Sequence, residues 1–185
     1  MKTPAQYIKD IGACQEAIQW AEQFSTWDEL AKRSHRPDWS LWLIERAELL
    51  DDKQLRLLAC SFVRHTPLPN GRKVWSLLTD ERSRNAVRVA ERFANNKATR
   101  RELSAAWDAA GAAAGDAAWA AAGAAAWDAA RDAAWDAAWD AARDAARDAA
   151  RGAARGAAWA WQAKYIYKKH GAEIVKKLNK QFPIK

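Results

Sequence analysis

A strict four-residue repeat in the second half of the chain constrains the fold more than any other feature. From Ala105 to Ala160 the sequence repeats Ala-Ala-X-Z without a slip, where X is Trp, Arg or Gly and Z is mostly Asp. Alanine has the highest helix propensity of all residues, and the spacing of the large side chains follows a helical period. Repeats of solenoid proteins are roughly 20 to 50 residues long, so this shorter period belongs inside helices.

The repeat cannot form one straight helix that packs against a single partner. Each four-residue step advances about 400° around a helix, so the X column drifts by about 40° per repeat. An uninterrupted helix would be about 84 Å long, against a radius of gyration of about 16 Å for a globular chain of this length. We therefore expect the segment to break and fold back, with Gly111, Gly115 and Gly123 as the first candidates for interruptions. The alternative is a long rod buried by oligomerisation.

The first half of the chain carries the start signals of several short amphipathic helices. Capping residues, or a proline suited to the first helical position, begin each segment. These signals are Thr3-Pro4, Ser25, Pro37, Thr79, and Thr99 with Glu102. No segment alternates as a strand does. The sequence predicts an all-α helical bundle with at least six helices, in one compact unit made of short helices over 1–98, repeat helices over 99–163 and a basic C-terminal helix over 164–185.

Composition narrows the partners and the compartment. The net charge is +7 and the pI about 9.6, which favours anionic partners such as nucleotides, nucleic acid or an acidic protein face. Cys14 and Cys60 form no disulfide framework, so we expect two buried, reduced thiols and a cytoplasmic protein. No signal peptide and no membrane-spanning segment is predicted. The drifting Trp and Ala columns predict a homo-oligomer, most simply a dimer.

The sequence shows no catalytic or metal-binding signature. It lacks a Gly-rich phosphate loop and a nucleophile elbow, and its three histidines are scattered. We therefore expect a protein that is not an enzyme and needs no cofactor or metal.

Two segments combine cations with aromatic rings, as a site for phosphate and a flat base requires. One is the helix start that holds His35, Arg36 and Trp39. The other is an arginine ladder flanked by two tryptophans, namely Trp139, Arg143, Arg147, Arg151, Arg155 and Trp159. For each segment a structural interpretation is also open: capping with a buried Trp for the first, and a solvated helix face for the second. If the repeat folds back on the early helices, the two segments can meet.

The sequence resembles a diffuse group of small alanine-rich helical proteins of phages and bacteria, many of them uncharacterised or labelled immunity proteins. The resemblance rests on His35–Leu43, Leu55–Cys60, Asn85–Phe93 and the alanine-rich repeat. It implies a role in conflict, either of phage against host or of toxin against immunity.

Three functions follow as alternatives. The first is a non-enzymatic protein that sequesters an anionic nucleotide-type immune signal. The second is an immunity or inhibitor protein that binds a toxin or a host enzyme. The third is a nucleic-acid binder, which would use the Lys-rich C-terminal segment and show a steep salt dependence.

Overall fold

The computed structural model describes residues 2–68, 70–119 and 155–184, with side chains except at 114–119 and 155–156. Eight α-helices lie in these ranges. They are α1 (Pro4–Asp10), α2 (Gln15–Ala21), α3 (Trp27–Arg33), α4 (Pro37–Arg46), α5 (Asp52–His65), α6 (Glu81–Ala94), α7 (Arg100–Trp119) and α8 (Arg155–Gln181). A 3-10 turn at Val74–Leu77 lies between α5 and α6.

The prediction of an all-α fold is confirmed for the described part of the chain. These ranges contain helices and no strand, and the nearest approach to a sheet is an isolated bridge between Pro67 and Lys73. None of the described helices is long and apolar enough to cross a membrane.

Residue contacts divide the chain into two compact units. The terminal unit comprises Met1–Asp51 and Trp159–Lys185, and the central unit comprises Asp52–Ala158. These units are defined by contacts, whereas the three segments predicted from the sequence are defined by composition, so neither division tests the other.

Side-chain caps fix where the short helices begin. Thr3 accepts a hydrogen bond from the Gln6 amide, and the Gln6 side chain accepts one from the Thr3 amide. This reciprocal pair is a capping box, and it satisfies two amides that the helix itself leaves without partners. α1 ends just before Gly12, whose φ of +93° lies in the left-handed region that glycine adopts without strain.

The core of the terminal unit is built from small and branched side chains around one tryptophan. Trp27 is fully buried, and its indole Nε1 donates to the Phe182 carbonyl at 2.9 Å. Leu178 of α8 and Ile44 of α4 are buried as deeply. The hydrogen bond matters because a buried indole N–H without an acceptor destabilises a fold.

Side chains of α8 also satisfy main-chain carbonyls just beyond α4. Lys177 Nζ donates to the Leu49 carbonyl at 2.7 Å, and Gln181 Nε2 donates to the Ala47 carbonyl at 3.0 Å. These carbonyls lie past the last turn of a helix and have no intrahelical donor. The contacts fix α8 against the end of α4 within the terminal unit.

The central unit has an alanine-rich core in which α6 and α7 pack closely. Its buried residues are Cys60, Ala86, Val89, Ala90, Leu103, Ala106 and Ala110. Small side chains at helical spacing let the two helix backbones approach each other. A second cluster joins Val63, Leu68 and Val74, with Trp75 packed against it.

Two predictions about local structure are wrong. α7 continues through Gly111 and Gly115, because the cost of about 1 kcal/mol per glycine is spread among alanines that favour the helix. Gly123 lies outside the described residues. Cys14 is exposed rather than buried, because it precedes α2 at a helix start instead of lying on an apolar helix face. Cys60 is buried, as predicted.

Candidate functional site

The start of α4 positions an arginine against aromatic rings. Arg36 precedes Pro37, and its backbone is extended, with φ −111° and ψ 98°. Proline favours this conformation in the residue before it and fits the first position of a helix. The chain therefore places the Arg36 side chain at the N-terminal end of α4.

The Arg36 guanidinium lies against two indole rings. Its Cζ is 4.5 Å from the centroid of Trp39 and 4.8 Å from that of Trp159. Trp159 belongs to α8 and Trp39 to α4, so the cation links two helices of the terminal unit. Both distances are within the range of cation–π attraction.

The guanidinium also binds a carboxylate through two parallel hydrogen bonds. Arg36 Nε donates to Asp38 Oδ1 at 2.9 Å, and Nη2 donates to Oδ2 at 2.7 Å. Glu16 lies at 3.4 Å from Nη1. The hydrogen bonds to Asp38 raise the pKa of Arg36 above its ordinary value, although partial burial acts in the opposite direction. The Arg36 side chain is 23% exposed, so its outer edge remains accessible.

Further aromatic rings surround Trp39. Trp20 of α2 lies 5.5 Å from Trp39 and 5.6 Å from His35, measured between ring centroids. His35 is in turn 6.0 Å from Trp39. We call Trp20, His35, Arg36, Trp39 and Trp159 the aromatic–arginine cluster.

A mostly apolar cavity opens beside this cluster, and Trp20 and Trp39 form part of its wall. The cavity has a volume of about 50 Å³. The rest of the wall comes from Ser34 and from residues of α1, α2, α3, α4 and α8. Its polar wall atoms include the hydroxyl oxygens of Ser34 and Ser40, which lie 2.7 Å apart. Each hydroxyl also lies 3.3 Å from the Arg36 carbonyl oxygen, to which it can donate a hydrogen bond.

The structure brings together four of the predicted site residues, namely His35, Arg36, Trp39 and Trp159. Trp139, Arg143, Arg147 and Arg151 lie outside the described residues. Arg155 begins α8, but its side chain lies outside them as well.

The sequence interpretation missed three contributors to the site. Trp20 was not among the predicted site residues, although it is half-buried and contacts His35 and Trp39. Asp38 and Glu16 were not considered as partners of Arg36. Asp38 follows Arg36 by two residues across a helix start, and this spacing was the available signal.

The described residues contain no group of His, Cys, Asp or Glu arranged to hold a metal ion. Comparison of the chain with protein-family models, curated proteins and solved structures gave no match. The resemblance to alanine-rich phage and bacterial proteins therefore stays a prediction.

Proposed function

We propose that this chain is a non-enzymatic binding protein for an anionic ligand that carries a flat ring, with nucleotides as the chemical class. One observation carries the proposal. The indole of Trp39 stacks on the Arg36 guanidinium and also forms part of the wall of the apolar cavity. A cation for phosphate and an apolar wall for a ring are therefore adjacent.

The cavity supports the ring half of the proposal. Small-molecule sites are concave and mostly apolar, with a few polar groups that fix orientation. Here Trp20, Trp39 and Trp42 supply flat faces, and the Ser34 and Ser40 hydroxyls supply hydrogen bonds. Because the open space is small, a base would lie partly in the cavity mouth, against Trp39.

Arg36 supports the anion half. Its planar fork binds Asp38 through two hydrogen bonds, and a phosphate presents a similar pair of oxygens. Ion pairs at the surface stabilise a protein by only about 0–1 kcal/mol, so exchanging Asp38 for a ligand phosphate costs little. The two indoles keep the guanidinium in place during that exchange.

The resemblance described above adds the biological setting, a conflict between phage and host. In that setting the ligand is a nucleotide immune signal, and sequestration without turnover lowers its free concentration. The opposing interpretation is an immunity or inhibitor protein with a protein target.

Calorimetric titration of the full chain tests the proposal. The panel contains adenine and guanine mononucleotides, cyclic and linear dinucleotides, the matching uncharged nucleosides, and inorganic phosphate. We expect nucleotides to bind more tightly than either nucleosides or phosphate, because only they supply both the ring and the charge. Absence of binding across the panel would favour the protein-target interpretation.

A charge variant with a matched control locates the anion site. Arg36→Gln should weaken nucleotide binding by about 10- to 100-fold, since a hydrogen bond to a charged group contributes roughly 1.5–3 kcal/mol. Arg82→Gln is the control, because Arg82 is also bound by two hydrogen bonds to an aspartate two residues away, Asp80, but lies in the central unit. Equal effects of both variants would refute the assignment.

Asp38→Asn provides the opposite sign. This substitution removes the carboxylate that competes with the ligand phosphate for the Arg36 guanidinium. It also removes a negative charge that repels the phosphate. A like charge about 5 Å away costs about 1 kcal/mol near water, so nucleotide binding should strengthen about fivefold. Weaker binding by Asp38→Asn, with the fold intact, would mean that Asp38 positions Arg36 rather than competing with the ligand.

A further pair of variants tests the cavity. Ala31 lines it and is half-buried, whereas Ala172 is exposed on α8. Ala31→Leu should fill the cavity mouth and weaken nucleotide binding, while Ala172→Leu should have no effect. The double variant Arg147→Ala/Arg151→Ala shows whether the arginine ladder contributes to the same site.

A further inference from the structure

A second group of arginines surrounds a tryptophan in the central unit. Within 6 Å of the Trp75 ring centroid lie the guanidiniums of Arg64 at 4.3 Å, Arg84 at 5.7 Å and Arg88 at 5.9 Å. Trp75 belongs to the 3-10 turn, and the arginines come from α5 and α6. This group is separate from the aromatic–arginine cluster, which lies in the terminal unit.

Carboxylates only partly compensate the positive charge around Trp75. Arg64 forms two hydrogen bonds to Glu91, and Arg88 pairs with Glu81. Arg84 instead donates to the Leu78 carbonyl at 2.6 Å, and its charge acts on Glu81, the carboxylate that already pairs with Arg88.

Two more cations lie at the start of the 3-10 turn. Arg72 donates to the Ser76 carbonyl at 3.3 Å, and Lys73 is exposed. Between Asp52 and Ala113 the central unit has twelve Lys and Arg against six Asp and Glu. This part of the unit is therefore basic, and half of the excess lies between Arg72 and Ala94, at the 3-10 turn and α6.

An apolar side chain lies between the two carbonyl-bound arginines. Leu77 is 49% exposed, and the carbonyls of its neighbours Ser76 and Leu78 accept from Arg72 and Arg84. Arg84 and Arg88 lie one helical turn apart on α6, a rise of about 6 Å. Cations one helical turn apart, beside an exposed apolar side chain and a half-buried ring, suit single-stranded nucleic acid, because phosphates pair with the cations while bases pack on apolar and aromatic groups.

We propose that Arg72, Lys73, Arg84 and Arg88, together with Trp75 and Leu77, form a binding surface for single-stranded nucleic acid. Arg84 and Arg88 bind successive phosphates, and a base rests on Leu77 and the edge of Trp75. Arg64 and Glu91 hold Trp75 in place and do not contact the strand. This surface is independent of the proposed nucleotide site.

Fluorescence anisotropy with a labelled 20-nucleotide thymidine oligomer tests the surface on the full chain. We expect binding whose logarithmic affinity falls linearly with the logarithm of salt concentration. Arg84→Gln should weaken binding by about tenfold and lower the salt slope by about 0.7, the value for one phosphate contact on a single strand.

Arg46→Gln is the matched control. Arg46 is also an arginine whose Nε donates to a main-chain carbonyl, that of Ile11 at 3.1 Å, but it lies in the terminal unit. Arg46→Gln removes the same charge outside the proposed surface. Its effect on affinity and on the salt slope should therefore be much smaller than that of Arg84→Gln. Equal effects of the two variants, or no binding by the unaltered chain, would overturn the proposal.

Two further measurements separate this surface from other interpretations. Polyglutamate of equal charge should compete far less well than unlabelled oligomer, and equal competition would overturn the assignment to nucleic acid. Arg36→Gln should leave oligomer binding unchanged, and Arg84→Gln should leave mononucleotide binding unchanged. A failure of either proposed site is therefore visible without affecting the other.

Discussion

Gly171 of α8 is a position where one added methyl group should reveal a close contact. A Cβ built on Gly171 would lie 2.7 Å from Tyr167 Cδ2 and 3.0 Å from Cε2, on the preceding turn of the same helix. Both residues line the cavity of the terminal unit. The Tyr167 hydroxyl donates to Asp28 Oδ1 at 3.0 Å, so the ring cannot move away without affecting that hydrogen bond.

Opposing contributions set the expected effect of Gly171→Ala. Alanine favours a helix interior over glycine by about 1 kcal/mol. Overpacking against the ring costs about 1–3 kcal/mol, and any movement of the ring also weakens the hydrogen bond to Asp28. We therefore expect the free energy of unfolding to decrease by up to about 2 kcal/mol. In a Tyr167→Ala background the contact is absent, and the same substitution should stabilise the protein by about 1 kcal/mol.

Urea unfolding of the four proteins of this double-mutant cycle measures the coupling. The expected interaction energy between positions 167 and 171 is about 1–3 kcal/mol, within the usual range for residues in contact. Tyr167→Phe separates the two causes, because it keeps the ring and removes its hydrogen bond to Asp28, so Gly171→Ala should destabilise that background less than the unaltered chain. If Gly171→Ala stabilises the unaltered chain as much as it stabilises Tyr167→Ala, the ring yields freely and the reasoning is refuted.

Two other predictions concern titratable groups. Burial lowers the pKa of His170 below its ordinary value of 6.5, and the charge of Lys169 acts in the same direction against Glu173 and Asp51. The unfolded state then binds the proton more readily than the folded state, so the free energy of unfolding should fall as pH drops below about 6.5. His170→Gln should flatten that part of a plot of unfolding free energy against pH, and an unchanged slope would contradict this. Burial, with the nearby charge of Glu91, raises the pKa of Cys60 to about 12, so one equivalent of thiol, from exposed Cys14, should react promptly with a disulfide reagent at pH 8, and the second only in urea. Prompt reaction of both thiols would show that Cys60 is accessible.

Helix starts that carry a capping signal were predictable from the sequence to within one residue, whereas α2 begins at Gln15 without a side-chain cap and was not predicted. Ser25 and Thr79 were the expected caps, whereas the structure uses Thr26 and Asp80. In both cases two adjacent residues can cap a helix, so the local chemistry does not choose between them. Thr26 is the cap because Glu29 reaches back to its amide while Thr26 accepts from the Glu29 amide.

The sequence predicted the kind of site but not all of the residues that form it. A cation beside an aromatic ring at a helix start is a local pattern, and Arg36 with Trp39 follows from it. Trp20 is brought to the site by the packing of α2 on α4, and no short-range pattern records that contact. The predicted interruption of the repeat at Gly111 and Gly115 was wrong for a different reason. Helix propensity gives the cost of each glycine, but it does not include the stabilisation that α7 gains by packing against α6.

The two arginines that stack on tryptophan differ in a way that separates structural from binding roles. Arg64 of α5 forms its ion pair with Glu91 of α6, so the pair holds two helices together around Trp75. Arg36 forms its two hydrogen bonds with Asp38, only two residues away, and that pair joins no two elements. Removing Arg64 should therefore destabilise the fold, since it leaves Glu91 half-buried without its partner. Removing Arg36 leaves Asp38, which is 39% exposed to water, and removes the stacking on Trp39 and Trp159 and the contact with the exposed Glu16. The ion pair of Arg36 is thus the one that a ligand can replace at small cost to the fold.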